Sequence, residues 1–136
     1  MLPRQVVTAD ADTSIEDVAT RMRDHRVGIL PILENGRLVG VITDRDIVVR
    51  TVAQGSNPRR EAASSIMTAC PITIQESADT EDAAVLMRSH RLHRIVVVRD
   101  NGTVSGVISL TDLSLLDGDA LEILRRLSEK PKDQDS

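Results

Sequence analysis

The stretch that decides the fold is residues 40–47, GVITDRDI, which recurs at residues 106–113 as GVISLTDL. The two copies keep one spacing, since Asp46 and Asp112 are 66 positions apart. Each copy is a short run of Val and Ile that ends in a hydroxyl residue, with an aspartate three residues later. This pattern predicts a strand that leads directly into the first turn of a helix.

The composition is that of an acidic globular protein without aromatic residues. The chain has 136 residues, a net charge of −4 and no Phe, Tyr or Trp. It offers no broadly basic surface for a nucleic-acid backbone, and a bound base could not stack on an aromatic side chain of this protein. No apolar run reaches membrane-spanning length, and no signal-peptide core follows Met1. We therefore expect a cytoplasmic protein with no nucleic-acid partner and no membrane association.

The first half predicts five elements in the order βαββα. They are a strand at residues 6–8, a helix from residue 15 to His25, strands at 29–33 and 38–43, and a helix from 44 to about 53. Thr13 and Ser14, followed by Glu16 and Asp17, give overlapping capping boxes. Asn35-Gly36 is a strong hairpin signal. The residues expected on the buried side of the last helix are Ile47, Val48 and Val52.

The same order returns in the second half, after a break at residues 54–58. The predicted elements are a helix at 59–67, a strand at 71–74, a helix capped by Asp79, strands at 95–98 and 104–109, and a helix at 110–116. We predict a first repeat at 1–54, a linker at 55–59, a second repeat at 60–116, a C-terminal helix at 117–130 and a flexible tail at 131–136. Because a unit of about 60 residues is marginal alone, the two repeats should pack on each other.

The duplicated pattern resembles a tandem pair of CBS domains, the Bateman module, and is similar to small stand-alone bacterial proteins that consist of one such pair. The matching features are the strand at 30–33, the segment 35–40 and the motif from Thr43 to Asp46, with their second-half equivalents. The resemblance implies an α/β (α+β) fold. In it, two βαββα repeats pack sheet to sheet with pseudo-two-fold symmetry and leave two clefts, and a C-terminal helix follows.

The resemblance also implies binding residues for an adenosine-containing ligand. In nucleotide-binding members the motif aspartate binds the ribose, while nearby hydroxyl and basic residues hold phosphate. The better cleft would use Thr8, Val27, Gly28, Ile29, Leu30, Pro31, His93, Arg94, Ser109, Thr111 and Asp112. The weaker cleft would use Thr43, Arg45, Asp46, Thr73, Ile74 and Leu92. Ile29 stands where Arg94 stands in the other half, so the weaker cleft depends on Arg45 for positive charge.

Two interpretations of the repeated motif stay open from the residues themselves. Thr43 with Asp46, and Ser109 with Asp112, are ordinary helix-capping pairs. The start of a helix also offers N–H donors that suit phosphate. The resemblance favours a regulatory module that needs no cofactor and binds AMP, ADP, ATP, NAD or S-adenosylmethionine. The alternative is a non-catalytic dimerisation or protein-interaction module with vestigial, empty clefts.

No catalytic or metal-binding motif stands out, so we expect neither an enzyme nor a metal site. His25 and His90 are expected at equivalent helix ends, where a histidine suits the helix dipole. Cys70, the single cysteine, is expected to be a small buried or strand-end residue. We expect a homodimer that acts on a regulated protein the sequence does not identify. The aliphatic helix residues left over for such contacts are Val48, Val52, Leu121 and Leu124.

Overall fold

The computed structural model describes residues 6–111, which form a mixed α+β fold with two sheets. The described residues divide into an N-terminal unit, mainly residues 6–71, and a C-terminal unit, mainly residues 72–111. The predicted order of strands and helices is confirmed as far as residue 111, whereas the predicted helix at 110–116 lies outside the described residues after its first two positions. The predicted C-terminal helix at 117–130 and the tail at 131–136 lie outside the described residues, as do Leu121 and Leu124.

The N-terminal unit is built on a four-stranded sheet. Its elements are β1 (Ala9–Asp10), α1 (Ile15–His25), β2 (Ile29–Glu34), β3 (Arg37–Thr43), α2 (Asp44–Ile47), a π-helical turn (Val48–Val52), α3 (Ala63–Ile66) and β4 (Thr68–Ala69). β1 runs parallel to β2, while β3 is antiparallel to both β2 and β4. The predicted hairpin is confirmed, because Asn35 and Gly36 both have positive φ (53° and 79°).

The first strand was predicted at residues 6–8, which is wrong, since β1 pairs with β2 only at Ala9 and Asp10. The carbonyl of Thr8 instead accepts a hydrogen bond from Arg21 Nη1 at 2.8 Å. An arginine from α1 thus takes the place of a strand partner there.

The long helix of each unit begins and ends as predicted. Ser14 caps α1 by accepting from the Asp17 N–H at 3.1 Å, and Asp79 caps the equivalent helix of the C-terminal unit. His25 and His90 are the last helical residues. The residue after each adopts the left-handed conformation with φ 54°, although neither is glycine. The two repeats therefore share both helix ends.

The predicted buried side of the helix after β3 is wrong for Val48 and Val52, whereas Ile47 packs against the core as predicted. Val48 and Val52 are 59% and 67% exposed, whereas Thr51 is completely buried. The helix changes to π geometry here, with the Ala53 N–H donating to the Val48 carbonyl at 2.9 Å. Thr51 faces inward because its hydroxyl donates to Glu61 Oε1 at 2.7 Å. A satisfied polar residue thus occupies the position that the apolar pattern assigned to valine.

Residues 57–69, which we call the connector, belong structurally to the N-terminal unit. The predicted helix at 59–67 is only the single turn α3. The connector pairs with the start of α1, because the Ile15 N–H donates to the Glu61 carbonyl at 2.9 Å and Arg59 contacts Glu16 at 2.7 Å. Cys70 follows β4 directly and is exposed, so of its two predicted roles the structure supports the strand end.

The C-terminal unit repeats the plan with fewer strands among the described residues. Its elements are β5 (Thr73–Gln75), α4 (Thr80–His90), β6 (Arg94–Val98) and β7 (Val104–Ser109), in sheet order β5-β6-β7. Leu110 and Thr111 open the next helix. Each unit has its own apolar core. The core of the C-terminal unit comprises Ile74, Ala83, Ala84, Met87, Ile95, Val97, Ile108 and Leu110.

Candidate functional site

The junction of β3 and α2, which we call the first joint, is held by a complete capping box. The Thr43 N–H donates to Asp46 Oδ2 at 2.9 Å, and the Asp46 N–H donates to Thr43 Oγ1 at 3.1 Å. The capping interpretation is therefore confirmed for this pair. It leaves the second carboxylate oxygen, Oδ1, outside the box. A ribose hydroxyl could donate to that oxygen without breaking the cap.

The same backbone tie fixes the joint in both units. The Asp44 N–H donates to the Gly28 carbonyl at 3.0 Å, and the Leu110 N–H donates to the His93 carbonyl at 2.8 Å. These residues occupy equivalent positions in the two repeats. In each unit the start of the helix therefore lies beside the residue that precedes the neighbouring strand.

Several predicted site residues of the N-terminal unit are brought together by this tie. Gly28 is bonded to Asp44, and Ile29 stands opposite Thr43 in the sheet register. The family resemblance assigned Gly28 and Ile29 to one cleft and Thr43 to the other. Arg45 is exposed one residue beyond Asp44. Within this unit, residues that were predicted for two different clefts therefore lie together at the first joint.

The second joint carries an exposed cation at the start of its neighbouring strand, where the first joint has none. Arg94 is the first residue of β6 and is exposed, as are His93 and Thr111. Its equivalent in the N-terminal unit, Ile29, is half-buried and uncharged. Ser109 ends β7 and is half-buried. Asp112, the predicted ribose ligand, lies outside the described residues.

The remaining predicted site residues differ in how much of their side chain is exposed for contact with a ligand. Leu30 is 0% and Ile74 is 8% exposed, and each belongs to the core of its own unit. Pro31 is also buried. The half-buried members keep side-chain surface for an aliphatic wall or a polar contact, and they are Thr8, Val27, Ile29, Thr73 and Leu92.

Sequence reasoning missed Arg50, which lies in the π-helical turn. Its Nε is 3.9 Å from Asp46 Oδ1, and its Nη1 donates to the Ile66 carbonyl at 2.8 Å. The signal for the first contact was present, because oppositely charged residues four apart face each other on a helix. The second contact joins residues 16 positions apart and had no local signal.

Other site classes find no support in the described residues. Within residues 6–111, no three His, Cys, Asp or Glu side chains are placed to hold a metal ion together. None of the helices in that range is both long and apolar enough to cross a membrane.

Comparison with known sequences identifies the repeat. A sequence model of the CBS domain matches residues 2–51 and again residues 63–116. The CBS domain-containing protein YhcV of Bacillus subtilis is 36% identical over 111 residues, which cover 82% of this chain and 78% of YhcV. The protein MK0525 of Methanopyrus kandleri is 33% identical over 111 residues, or 81% of this chain. The match spans 57% of MK0525.

Two solved structures give the same result, and both contain an adenosine ligand. The CBS domain protein PAE2072 of Pyrobaculum aerophilum, complexed with AMP, is 32% identical with a TM-score of 0.77, over 91% of this chain and 95% of that one. The CBS domain pair of protein MJ0100, in complex with 5′-methylthioadenosine and S-adenosyl-L-methionine, is 31% identical with a TM-score of 0.74, over 87% and 92%. With two matched copies over most of its length, this chain belongs to the CBS-domain family and carries the domain as a tandem pair.

Proposed function

We propose that this chain is a regulatory CBS pair that binds an adenosine-containing nucleotide through its two strand-to-helix joints. The observation that carries the proposal is the joint itself, built twice with the same backbone tie. In the first copy, a carboxylate is fixed by its cap while one oxygen is left for a ribose hydroxyl. The similarity to PAE2072, a CBS protein solved with AMP, supports the same ligand class here.

Adenosine is the chemistry shared by the ligands of PAE2072 and MJ0100, whereas the group on its 5′ carbon differs. In this chain, Asp112 and Asp46 would accept from ribose hydroxyls, and Arg94 would contact a phosphate. Because the chain lacks aromatic residues, the adenine ring would pack on aliphatic side chains such as Ile29 and Leu92. This assignment favours AMP, ADP or ATP over S-adenosylmethionine, because the exposed guanidinium of Arg94 suits an anion.

The mechanism we propose is regulatory and non-catalytic. Nucleotide binding favours one arrangement of the chain, and a partner protein that prefers this arrangement then binds more tightly. By thermodynamic linkage, the partner would raise the affinity for the nucleotide by the same factor.

The direct test is isothermal titration calorimetry of AMP, ATP, NADH and S-adenosylmethionine into the full chain. Calorimetry needs no chromophore, which suits a protein without aromatic residues. We expect micromolar affinity, a binding free energy of about −8 kcal/mol, for at least one nucleotide. Absence of heat from all four at millimolar concentration would contradict the proposal.

Replacing Arg94 by isoleucine, the residue at the equivalent position of the first repeat, should separate phosphate from adenosine recognition. A charged hydrogen bond contributes about 1.5–3 kcal/mol, so AMP affinity should fall by roughly 10- to 100-fold. Adenosine itself should bind as before, because it has no phosphate. Calorimetry with both ligands makes the comparison.

The matched control for this variant is Arg88→Leu, which removes the same charge from an exposed position near the end of α4. It should leave both affinities unchanged. An equal loss for AMP and adenosine in Arg94→Ile would show that Arg94 does not act on the phosphate.

A second candidate function, as a self-association module, rests on the exposed valines of the π-helical turn. Val48, Val49 and Val52 are 59%, 44% and 67% exposed. Val52 also lines a mostly apolar groove of about 360 Å³ between α1 and this turn, together with Ile15, Ala19 and Ile47 among others. The occupant we propose is a second copy of this chain, because one such patch can pair with itself across a two-fold axis.

Replacing Val48 and Val52 together by glutamate should convert a dimer into a monomer. Burying four unpaired carboxylates, two from each copy, would cost far more than the interface gains. Both positions are exposed in the single chain, so the fold should survive. Size-exclusion chromatography with light scattering measures the mass, and Val85→Glu on the exposed face of α4 is the control. A double variant that stays dimeric would place the interface elsewhere.

A further inference from the structure

Arg50 connects the first joint to the connector through one guanidinium group. Its Nε lies 3.9 Å from Asp46 Oδ1, while its Nη1 donates to the Ile66 carbonyl at 2.8 Å. The Asp46 side chain is 17% exposed and that of Arg50 is 48% exposed. The carboxylate is thus largely screened from water, whereas the arginine beside it is about half exposed.

Each contact of Arg50 fixes a different group. Ile66, which is 3% exposed, is the last residue of α3, where helix carbonyls have no intrahelical donor. Arg50 supplies that donor and is itself held in place by it. The guanidinium is planar, so its second nitrogen then points in a defined direction. That nitrogen is the one near Asp46, whose other oxygen is already bonded to the Thr43 N–H.

We propose that Arg50 is a positioning residue of the candidate nucleotide site, which orients the Asp46 carboxylate from an anchor on the connector. The inference rests on the proposed function, because it takes Asp46 as an acceptor for ribose hydroxyls. Oδ1, the oxygen that faces Arg50, is the one outside the capping box.

A purely structural anchor would behave differently, and two amides tell the roles apart. The Thr43 N–H is bonded to the Asp46 carboxylate and reports its orientation. The Met67 N–H is bonded to the Ala63 carbonyl and reports the integrity of α3. If Arg50 only anchored α3, its loss would expose the Met67 amide and leave the Thr43 amide as it was.

The experiment is amide hydrogen exchange of the full chain by NMR, without ligand, with rates taken relative to the slowest core amides. In Arg50→Gln, Thr43 exchange should accelerate about 1.5- to 2-fold, the scale of one helical ion pair. Arg50→Lys should restore most of this protection, because the positive charge stays near Asp46. Arg59→Gln, which breaks the exposed pair with Glu16, should leave the Thr43 amide unchanged.

An unchanged Thr43 rate in Arg50→Gln, with only Met67 accelerated, would overturn the proposal. Because the exchange measurement contains no nucleotide, it does not depend on the proposed function. Calorimetry of AMP into the unmodified protein decides that function separately. If the protein bound no nucleotide but showed the Thr43 effect, the conclusion that Arg50 orients Asp46 would stand. The assignment of a nucleotide site would be wrong.

Discussion

Replacing Asp112 by alanine is expected to lower the affinity for AMP by at least about 100-fold, because hydrogen bonds from the two ribose hydroxyls to a carboxylate contribute about 1.5–3 kcal/mol each. In the first repeat, the equivalent residue is Asp46. One oxygen accepts from the Thr43 N–H, and the other stays outside the cap. Calorimetry of AMP into Asp112→Ala and the unmodified protein measures the loss.

Two further variants separate recognition of the ribose from helix capping. Asp112→Asn keeps an acceptor oxygen for a cap but presents an amide N–H₂ in place of the second oxygen, so it should lose AMP as well. Asp82→Ala removes the same charge from the exposed first turn of α4 and should bind AMP normally. If Asp112 only caps a helix, Asp112→Ala should lose about 1 kcal/mol of stability and keep its AMP affinity.

Replacing Gly40 by alanine should destabilise the N-terminal unit. A Cβ atom at Gly40 would lie 2.5 Å from Met67 Sδ and 2.9 Å from the Thr68 carbonyl oxygen. The clash falls where β3 pairs with β4, since Gly40 stands opposite Ala69. Overpacking of this kind costs about 1–3 kcal/mol, and the upper end is expected because one of the two partners is backbone. Urea unfolding followed by far-ultraviolet circular dichroism measures the change.

The double variant Gly40→Ala/Met67→Ala tests the cause of that loss. Truncating Met67 removes the sulfur and Cγ from the path of the new Cβ, whereas the Thr68 carbonyl stays. Against Met67→Ala alone, the Gly40 substitution should therefore still cost stability, but less than in the unmodified protein. A loss below about 0.5 kcal/mol in Gly40→Ala would mean that β4 moves away easily.

The parts of the fold that were predicted correctly depend on residues close together in the sequence. The Thr43–Asp46 box, the Ser14 cap and the hairpin at Asn35-Gly36 each involve partners at most three residues apart. In such cases the side-chain chemistry itself specifies the backbone conformation. The duplication strengthened these signals, because each motif appeared twice.

The errors come from contacts between distant residues. Thr51 is buried because Glu61, ten positions later, accepts from its hydroxyl. An apolar pattern treats threonine as a surface residue and valine as a core residue, so it placed Val48 and Val52 inside. The prediction of a helix at residues 59–67 was wrong for the same reason. The connector's backbone pairs with the start of α1 and completes only one helical turn.

Only part of the candidate site could be predicted from the sequence. The motif and the family resemblance predict Thr43, Asp46 and Arg94 as polar residues of the site. The same resemblance predicted Leu30 and Ile74 as site residues, although their side chains belong to the apolar cores of the two units. Arg50 could not be found in this way, because it donates to the backbone carbonyl of Ile66. Every residue has such a carbonyl, so no side chain in the sequence indicates this contact.

The π-helical turn has a consequence for protein engineering. The eight residues 40–47 would not work as a portable cassette in another scaffold, because their carboxylate depends on Arg50 and that arginine depends on Ile66. Winding Val48–Val52 as an ordinary α-helix would rotate Thr51 away from Glu61. Because the joint is also tied to Gly28 and paired with β2, the smallest transplantable piece comprises residues 28–52 together with residues 61–69, two segments that are separate in the chain and must be moved as one.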